Sequence, residues 1–122
     1  MIMLSQPSPE ADAPAVLYSP GQIVRHRRYG YLGVVVESDL TCKADMAWYH
    51  SNQTQPDRTQ PWYHVLVDGS CSTTYAAQTS LVADELCAPI THPYLARFFN
   101  KFTGDRYVRN DFPWPSLDET GT

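Results

Sequence analysis

The residues of this chain that are best suited to binding chemistry form a basic run, Arg25, His26, Arg27 and Arg28. Guanidinium groups contact phosphates and carboxylates in a bidentate manner, so the run predicts a surface for nucleic acid or for an acidic protein. In a β-strand, alternation sends Arg25 and Arg27 to one face and Arg28 to the other. Three phosphate contacts would give a salt slope of only about −2.7, which is weak binding unless other groups add to it. The remaining interpretation is a solvated edge strand whose charge prevents aggregation.

A second group of candidate binding residues is aromatic and flanks a long polar loop at residues 51–60. These residues are Trp48, Tyr49, Trp62 and Tyr63. Trp, Tyr and Arg are enriched at the energetic centres of protein interfaces, and a long loop in a compact domain is usually functional or mobile. The group therefore indicates a protein-binding surface or, as the alternative, the closed end of a small barrel.

Residues of the types that perform catalysis or hold metal ions in other proteins are scattered along this chain and form no recognisable site. The 4 histidines include no pair with metal-ligand spacing, and the 3 cysteines form no CxxC pair. GxSxG, P-loop and Rossmann fingerprints are missing, and no nucleophile, base and orienting group can be named together. His64 is interpreted as a structural residue within a strand, and Asp39 as a turn former. We therefore expect a non-enzymatic protein with no catalytic residues, no metal site and no cofactor.

Length and charge narrow the function classes further. The chain has 122 residues, which is room for one domain with tails. Its 13 acidic and 9 basic side chains leave a net charge of −4, which disfavours a dedicated DNA-binding domain but allows a local basic patch. The sequence has neither a membrane-spanning apolar run nor the basic start of a signal peptide. We expect free thiols, no membrane contact and a cytoplasmic location, and the oligomeric state stays open.

A series of short strands must position these side chains. Strands are predicted at about residues 22–28, 31–37, 61–68, 73–77 and 80–82, with turn signals at Gly30 and Gly69. Gly33 lies within the apolar second strand and predicts a bulge or bend there. Many short strands with turns between them favour a mainly β fold, a small barrel of about five strands, over a layered α/β fold.

One α-helix is predicted near the C-terminus, over about residues 92–103. Leu95, Phe98, Phe99 and Phe102 recur at the spacing of one helical face, and Gly104 follows as a helix cap. The Pro-rich, acidic residues 1–16 predict a disordered leader. An ordered domain then extends over residues 17–113 and ends in an extended C-terminal arm, and residues 114–122 form a tail.

Several segments that occur in a fixed order resemble one known family. They are residues 21–36, 60–67, 75–81, 90–93 and 98–99, together with Asp39, Cys42 and Trp48. Over about residues 18–112 the chain resembles the YccV-like domain, which is also called the hemimethylated-DNA-binding or heat-shock-protein-Q domain. Its C-terminal part is similar to the extended form at the end of certain F-box proteins. Thr79 and Ser80 depart from the Glu-Asn pair that is usual in the family.

The resemblance implies an SH3-like β-barrel that acts as a binding module without agreed catalytic residues. It also implies a role in regulated proteolysis and protein quality control. Our leading hypothesis is therefore an adaptor or modulator whose partner is an ATP-dependent protease, a ubiquitin-ligase component or a substrate. The alternative hypothesis is a DNA-binding protein that recognises hemimethylated duplex through the basic strand.

Overall fold

The computed structural model describes residues 15–115, which form mainly β structure. The strands of the larger sheet are β1 (Ile23–His26), β2 (Leu32–Asp39), β3 (Trp62–Val67), β4 (Thr73–Ala77) and β5 (Leu81–Ala83). They form one five-stranded sheet in the order β4-β3-β2-β1-β5, in which every neighbouring pair is antiparallel. This architecture confirms the mainly β prediction and is compatible with an SH3-like fold. Within the described residues β4 and β5 are the two edges of the sheet, and a 3-10 turn (Gln78–Ser80) joins them.

Strand β1 is shorter than the sequence predicts, and this changes the setting of the basic run. It ends at His26, whose amide donates to the carbonyl of Tyr31 at 2.9 Å and whose carbonyl accepts from the amide of Gly30 at 2.9 Å. Gly30 has a φ of 76°, the left-handed conformation that a residue without a Cβ adopts at little cost. Arg27 and Arg28 are thus turn residues, so the prediction that they alternate across a strand is wrong.

The bulge predicted at Gly33 lies further along β2. The register between β2 and β3 shifts between Val35 and Glu37, whereas Gly33 pairs regularly with Val67. A Cβ at residue 33 would lie 2.5 Å from the carbonyl oxygen of Leu66, so the glycine is needed because β3 approaches closely at this point.

Two short helices accompany the sheets, α1 (Met46–Ser51) and α2 (Leu95–Phe98). The helix predicted over about 92–103 is wrong in extent, because the chain leaves α2 after one turn and continues as β6 (Phe99–Phe102), which pairs with β7 (Tyr107–Arg109). Pairing with β7 gives the backbone of β6 its hydrogen-bond partners, and this path buries Phe98 and Phe99 at 3% and 5% exposure. Neither of these helices has the length or apolar character to cross a membrane.

The larger sheet buries side chains on both faces. One cluster contains Ile23, Val34, Val36 and Leu66 and is covered by Ile90, Phe98, Phe99 and Tyr107. The opposite cluster consists of Tyr18, Val24, Val35, Tyr63, Val65, Ala76 and Leu81. After β7 the arm carries Phe112 and Trp114, whose rings lie 5.6 and 5.2 Å from that of Phe98. Most of the predicted leader (1–16) and of the predicted tail (114–122) lies outside the described residues, at 1–14 and 116–122.

Candidate functional site

Arg25 is committed to contacts within its own fold. Its Nη1 donates to the carbonyl of Gly30 at 2.9 Å, and its Nη2 lies 3.5 Å from Oδ1 of the buried Asp84. The side chain of Arg25 is 43% exposed. Arg25 therefore holds the β1–β2 turn to the segment after β5, and binding a phosphate would compete with these contacts.

His26 is the buried last residue of β1 rather than part of an exposed basic face. Its Nδ1 accepts the amides of Arg28 and Tyr29, both at 3.1 Å, and its ring stacks on that of Tyr29 at 4.7 Å. Burial and then the nearby charge of Arg28 lower the pKa of His26. The imidazole is thus a neutral acceptor that caps the turn, and it contributes no positive charge to a binding surface.

Arg27 and Arg28 are more exposed than the other members of the basic run. The amide of Arg27 donates to the carbonyl of Ser80 at 2.8 Å, which fixes its backbone, and the guanidinium of Arg28 lies 5.8 Å from the Tyr29 ring centroid. Among residues 15–115 no carboxylate forms an ion pair with either side chain. Two phosphate contacts would give a salt slope of only about −1.8.

The neighbours Trp62 and Tyr63 point to opposite faces of β3, as strand alternation requires. Tyr63 is fully buried. Its hydroxyl donates to Oε1 of Gln78 and lies 3.1 and 3.3 Å from the amides of Leu17 and Tyr18, which donate to it. Burial raises the pKa of this phenol. Tyr63 is therefore a core residue that orders the start of the domain.

Trp62, Trp48 and Tyr49 fasten the polar loop and α1 to the sheet. Trp62 is 3% exposed, and its Nε1 donates to the carbonyl of Asp57 at 3.2 Å. The Tyr49 hydroxyl donates to the carbonyl of Pro56 at 2.7 Å, and its ring lies 4.9 Å from the Arg58 guanidinium. Trp48 packs on Trp62 with a ring separation of 6.1 Å and remains half-buried. Of these three, Trp48 and Trp62 also line a groove.

This groove, which we call the aromatic groove, has a volume of about 660 Å³ and lies along β4. Its walls come from the β1–β2 turn, α1, the polar loop at residues 51–60, β3, β4, α2 and the C-terminal arm. The aromatic side chains that line it include Tyr29, Tyr31, Trp48, Tyr75, Tyr94 and Trp114. Arg97 is the one Arg, Lys, Asp or Glu among its described lining residues. Thr74 and Tyr75, which point to opposite faces of β4, both line it, so the groove straddles the edge of the sheet.

A polar network fixes the floor of the aromatic groove. The Tyr75 hydroxyl donates to Oδ2 of Asp39 at 2.7 Å and accepts the amide of Lys43 at 2.9 Å, while Nε2 of His64 lies 3.3 Å from the same Asp39 oxygen. The His64 and Tyr75 rings are 4.4 Å apart.

Both titratable partners of Asp39 stay neutral near neutral pH. Burial lowers the pKa of His64, and the attraction of Asp39 only partly offsets this effect. Burial, with the Asp39 hydrogen bond, raises the pKa of Tyr75 far above its usual range. The network therefore orients the Tyr75 ring at the floor of the groove.

Sequence reasoning missed the residues that complete this groove, namely Tyr31, Tyr75, Tyr94, Arg97 and Trp114. Tyr75 carried a usable signal, because it lies in an otherwise small-residue strand and pairs with His64. Trp114 lies between two prolines, which predicts an extended backbone but not what its ring contacts. Their convergence depends on the C-terminal arm returning to β3, and no local pattern encodes that.

Comparison with known proteins identifies the family of this chain. Residues 16–106 match the family model described as hemimethylated DNA-binding protein YccV like. This chain belongs to the YccV-like family. The match confirms the resemblance inferred from the ordered segments.

The curated relatives include F-box only protein 21 from three mammals. The proteins from Homo sapiens and Pongo abelii are each 40% identical to this chain over 99 residues, and that from Mus musculus is 39% identical over 99 residues. The alignment covers 78% of this chain but 15% of the human protein and 16% of the other two. The chain thus corresponds to a small part of these relatives.

Proposed function

We propose that this YccV-like domain is a non-enzymatic protein-recognition module, an adaptor or modulator in regulated proteolysis. The observation that carries the proposal is the aromatic groove, whose walls are mostly apolar and aromatic, with neutral polar side chains among them and one charged side chain, Arg97. Concave aromatic surfaces with an Arg are typical of the energetic centres of protein interfaces. A polyphosphate backbone, in contrast, needs several converging cations.

The relatives indicate the cellular process in which such a module would act. Proteins named F-box only protein 21 support a ubiquitin-ligase context, in which the partner is a ligase component or a substrate. The family resemblance offers an ATP-dependent protease as the other partner. A cytoplasmic location suits each of them and stays a prediction.

Crosslinking from the groove tests this proposal. A photo-reactive phenylalanine analogue replaces Tyr94, an exposed lining residue, in the full chain expressed in cells, and its crosslinked proteins are identified. We expect a ligase component, a protease or short-lived substrates, and a longer half-life of those substrates with Arg97→Glu. The matched control, Arg27→Glu, changes an exposed arginine outside the groove. Equal substrate half-lives for the wild type and Arg97→Glu would contradict the adaptor role.

DNA binding is the second candidate, and two observations favour it. Arg27 and Arg28 are exposed side by side, and the matching family model carries a DNA-binding description. Binding through these residues predicts a salt slope of about −1.8 that vanishes when both become Ala. Retention of hemimethylated and unmethylated GATC duplexes is compared at low salt. Equal retention of both duplexes would reject recognition of hemimethylation.

A further inference from the structure

The hydrogen bonds at the two ends of the β3–β4 ladder show which backbone groups of β4 face outward. The amide of Val67 donates to the carbonyl of Ser72 at 3.1 Å, and the amide of Gln78 donates to that of Pro61 at 2.9 Å. In an antiparallel ladder, hydrogen-bonded and non-bonded pairs alternate. Ser72 and Gln78 thus belong to hydrogen-bonded pairs. Thr74 and Ala76 lie an even number of residues from both, so their backbone groups also bond to β3.

The amides and carbonyls of Thr73 and Tyr75 consequently point away from β3. Within residues 15–115 these four groups have no hydrogen-bond partner. Thr73 is exposed and Tyr75 is half-buried, whereas the next outward residue, Ala77, is buried against Trp62 and Cys42. An edge of this kind is a template for a further strand from another chain.

The charge beside this edge indicates what such a strand carries. Arg97 is exposed, and its guanidinium lies 5.4 and 5.6 Å from the ring centroids of Tyr94 and Phe112. No carboxylate among the described residues forms an ion pair with it. Aromatic stacking holds the guanidinium in place while leaving its donors available, and a carboxylate is the complementary acceptor.

We propose that an extended, acidic segment of a protein partner binds here by adding a strand to the open edge of β4. Its backbone pairs with Thr73 and Tyr75, an apolar side chain enters the aromatic groove, and a carboxylate pairs with Arg97. This inference rests on the proposed recognition function and gives its partner a chemistry and a binding mode.

Selection of peptides followed by amide exchange tests the binding mode. A phage-displayed library of random ten-residue peptides is selected on the full chain, and the most enriched sequence is synthesised as the probe. We expect enriched peptides to be acidic and β-prone. On binding, hydrogen exchange measured by NMR should slow at the amides of Thr73 and Tyr75, with little change at Thr74 and Ala76, which already bond to β3. This alternation is the signature of an added strand. No enrichment, or protection without alternation, would overturn the proposal.

A pair of substitutions at one position separates backbone pairing from side-chain contact. Thr73→Pro removes one outward amide at the first residue of an edge strand, where proline is tolerated, and Thr73→Val keeps the amide. We expect Thr73→Pro to lower the affinity for the probe peptide about tenfold, and Thr73→Val to change that affinity less than about twofold. Arg97→Glu should also weaken it about tenfold, and a peptide with Lys in place of its acidic residue should recover binding to that variant.

The same measurements distinguish a partner segment from other chains that could cover the β4 edge. They also separate failure of strand addition from failure of the proposed recognition function. Amides of Thr73 and Tyr75 that are protected in the free full chain and become exchangeable when it ends at Pro115 would show that residues 116–122 fill the groove. Protection that rises with protein concentration would show pairing between two copies. Either result overturns binding of a partner segment as stated. Equal affinity of Thr73→Pro and Thr73→Val, with loss only in Arg97→Glu, removes strand addition but leaves the recognition function standing.

Discussion

The basic turn at residues 25–28 and the aromatic groove use their side chains in opposite ways. The turn is continuous in sequence, yet Arg25 bonds to Gly30 and Asp84, and His26 caps the turn as a neutral acceptor. The groove is assembled from segments as distant as Tyr29 and Trp114, yet it forms one continuous surface. A cluster in sequence is therefore a poor guide to an available surface when its members are needed to build the local backbone.

The two regions also differ in what keeps them rigid. In the turn, the side-chain contacts of Arg25 are partly exposed to water, so each of them is worth little. In the groove, rings pack on one another, and the half-buried Asp39 carboxylate orients Tyr75 beneath them. The predicted effects of substitution should fall in the same order.

The largest expected effect concerns Tyr63, which the sequence suggested as a binding residue. Tyr63→Ala should lower the free energy of unfolding by about 3–5 kcal/mol, because it removes a fully buried ring and the acceptor of two amides. Urea denaturation measures this change. Tyr94→Ala, in the groove and 40% exposed, should cost less than about 1 kcal/mol. If Tyr63→Ala lowered the free energy of unfolding only slightly but abolished partner binding, Tyr63 would be a surface binding residue and not a core residue.

The next effect tests the floor of the aromatic groove. Tyr75→Phe should lower the free energy of unfolding by about 1–3 kcal/mol, because Oδ2 of Asp39 loses its hydroxyl donor and the amide of Lys43 loses its acceptor. The control is Tyr31→Phe, which removes a hydroxyl that lies 2.7 Å from the Thr74 hydroxyl and bonds to no carboxylate among the described residues. Equal losses in the two variants, by urea denaturation, would show that the Asp39 network adds no special stability.

A pH titration of stability compares the buried histidines with an exposed one. Because burial lowers the pKa of His64 in the folded state, the unfolded chain takes up the proton first as the pH falls. This contribution to stability is complete above the ordinary value of 6.5 and is lost as the pH falls towards the lower folded-state value. The slope is at most about 1.4 kcal/mol per pH unit for each such histidine.

The variant His64→Phe should flatten this decline between about pH 7 and 5, measured as urea midpoints across the range. His26 shifts in the same direction and should leave a residual slope. His50→Gln, at an exposed position, is measured in parallel as the control substitution. A slope that His64→Phe does not alter would mean that His64 titrates equally in the folded and unfolded chains.

The smallest effect belongs to the basic turn. Arg25→Ala should cost about 0.2–1 kcal/mol of unfolding free energy, because its contact with Asp84 is half-exposed and 3.5 Å long. Arg27→Ala should be neutral within about 0.5 kcal/mol. Thermal melts at low and high salt measure both, and the Arg25 effect should shrink at high salt. A loss at Arg25 that exceeds the loss at Tyr75 would reverse the order of the two regions.

Much of the sheet could be predicted from local patterns. The strand at 73–77 matches β4 residue for residue, and the apolar runs of β2 and β3 lie within a few residues of their predicted bounds. The prediction of a long C-terminal helix was wrong because a short helix followed by a strand also accommodates the helical spacing of Leu95, Phe98, Phe99 and Phe102. Local periodicity cannot separate these cases when the deciding partner is β7.

The succession of strands along the chain and the turn at Gly30 could be predicted from the residues and their spacing, because alternation and glycine conformations are local properties. The family could be inferred from motifs that occur in a fixed order. Three other features needed the folded chain. Tertiary contacts place Trp62 and Tyr63 in clusters on opposite faces of the sheet. They also engage Arg25 and His26 in contacts that stabilise the β1–β2 turn, and they place Trp114 beside His64. Each depends on contacts between residues far apart in sequence, where burial and hydrogen bonding across elements outweigh local preference.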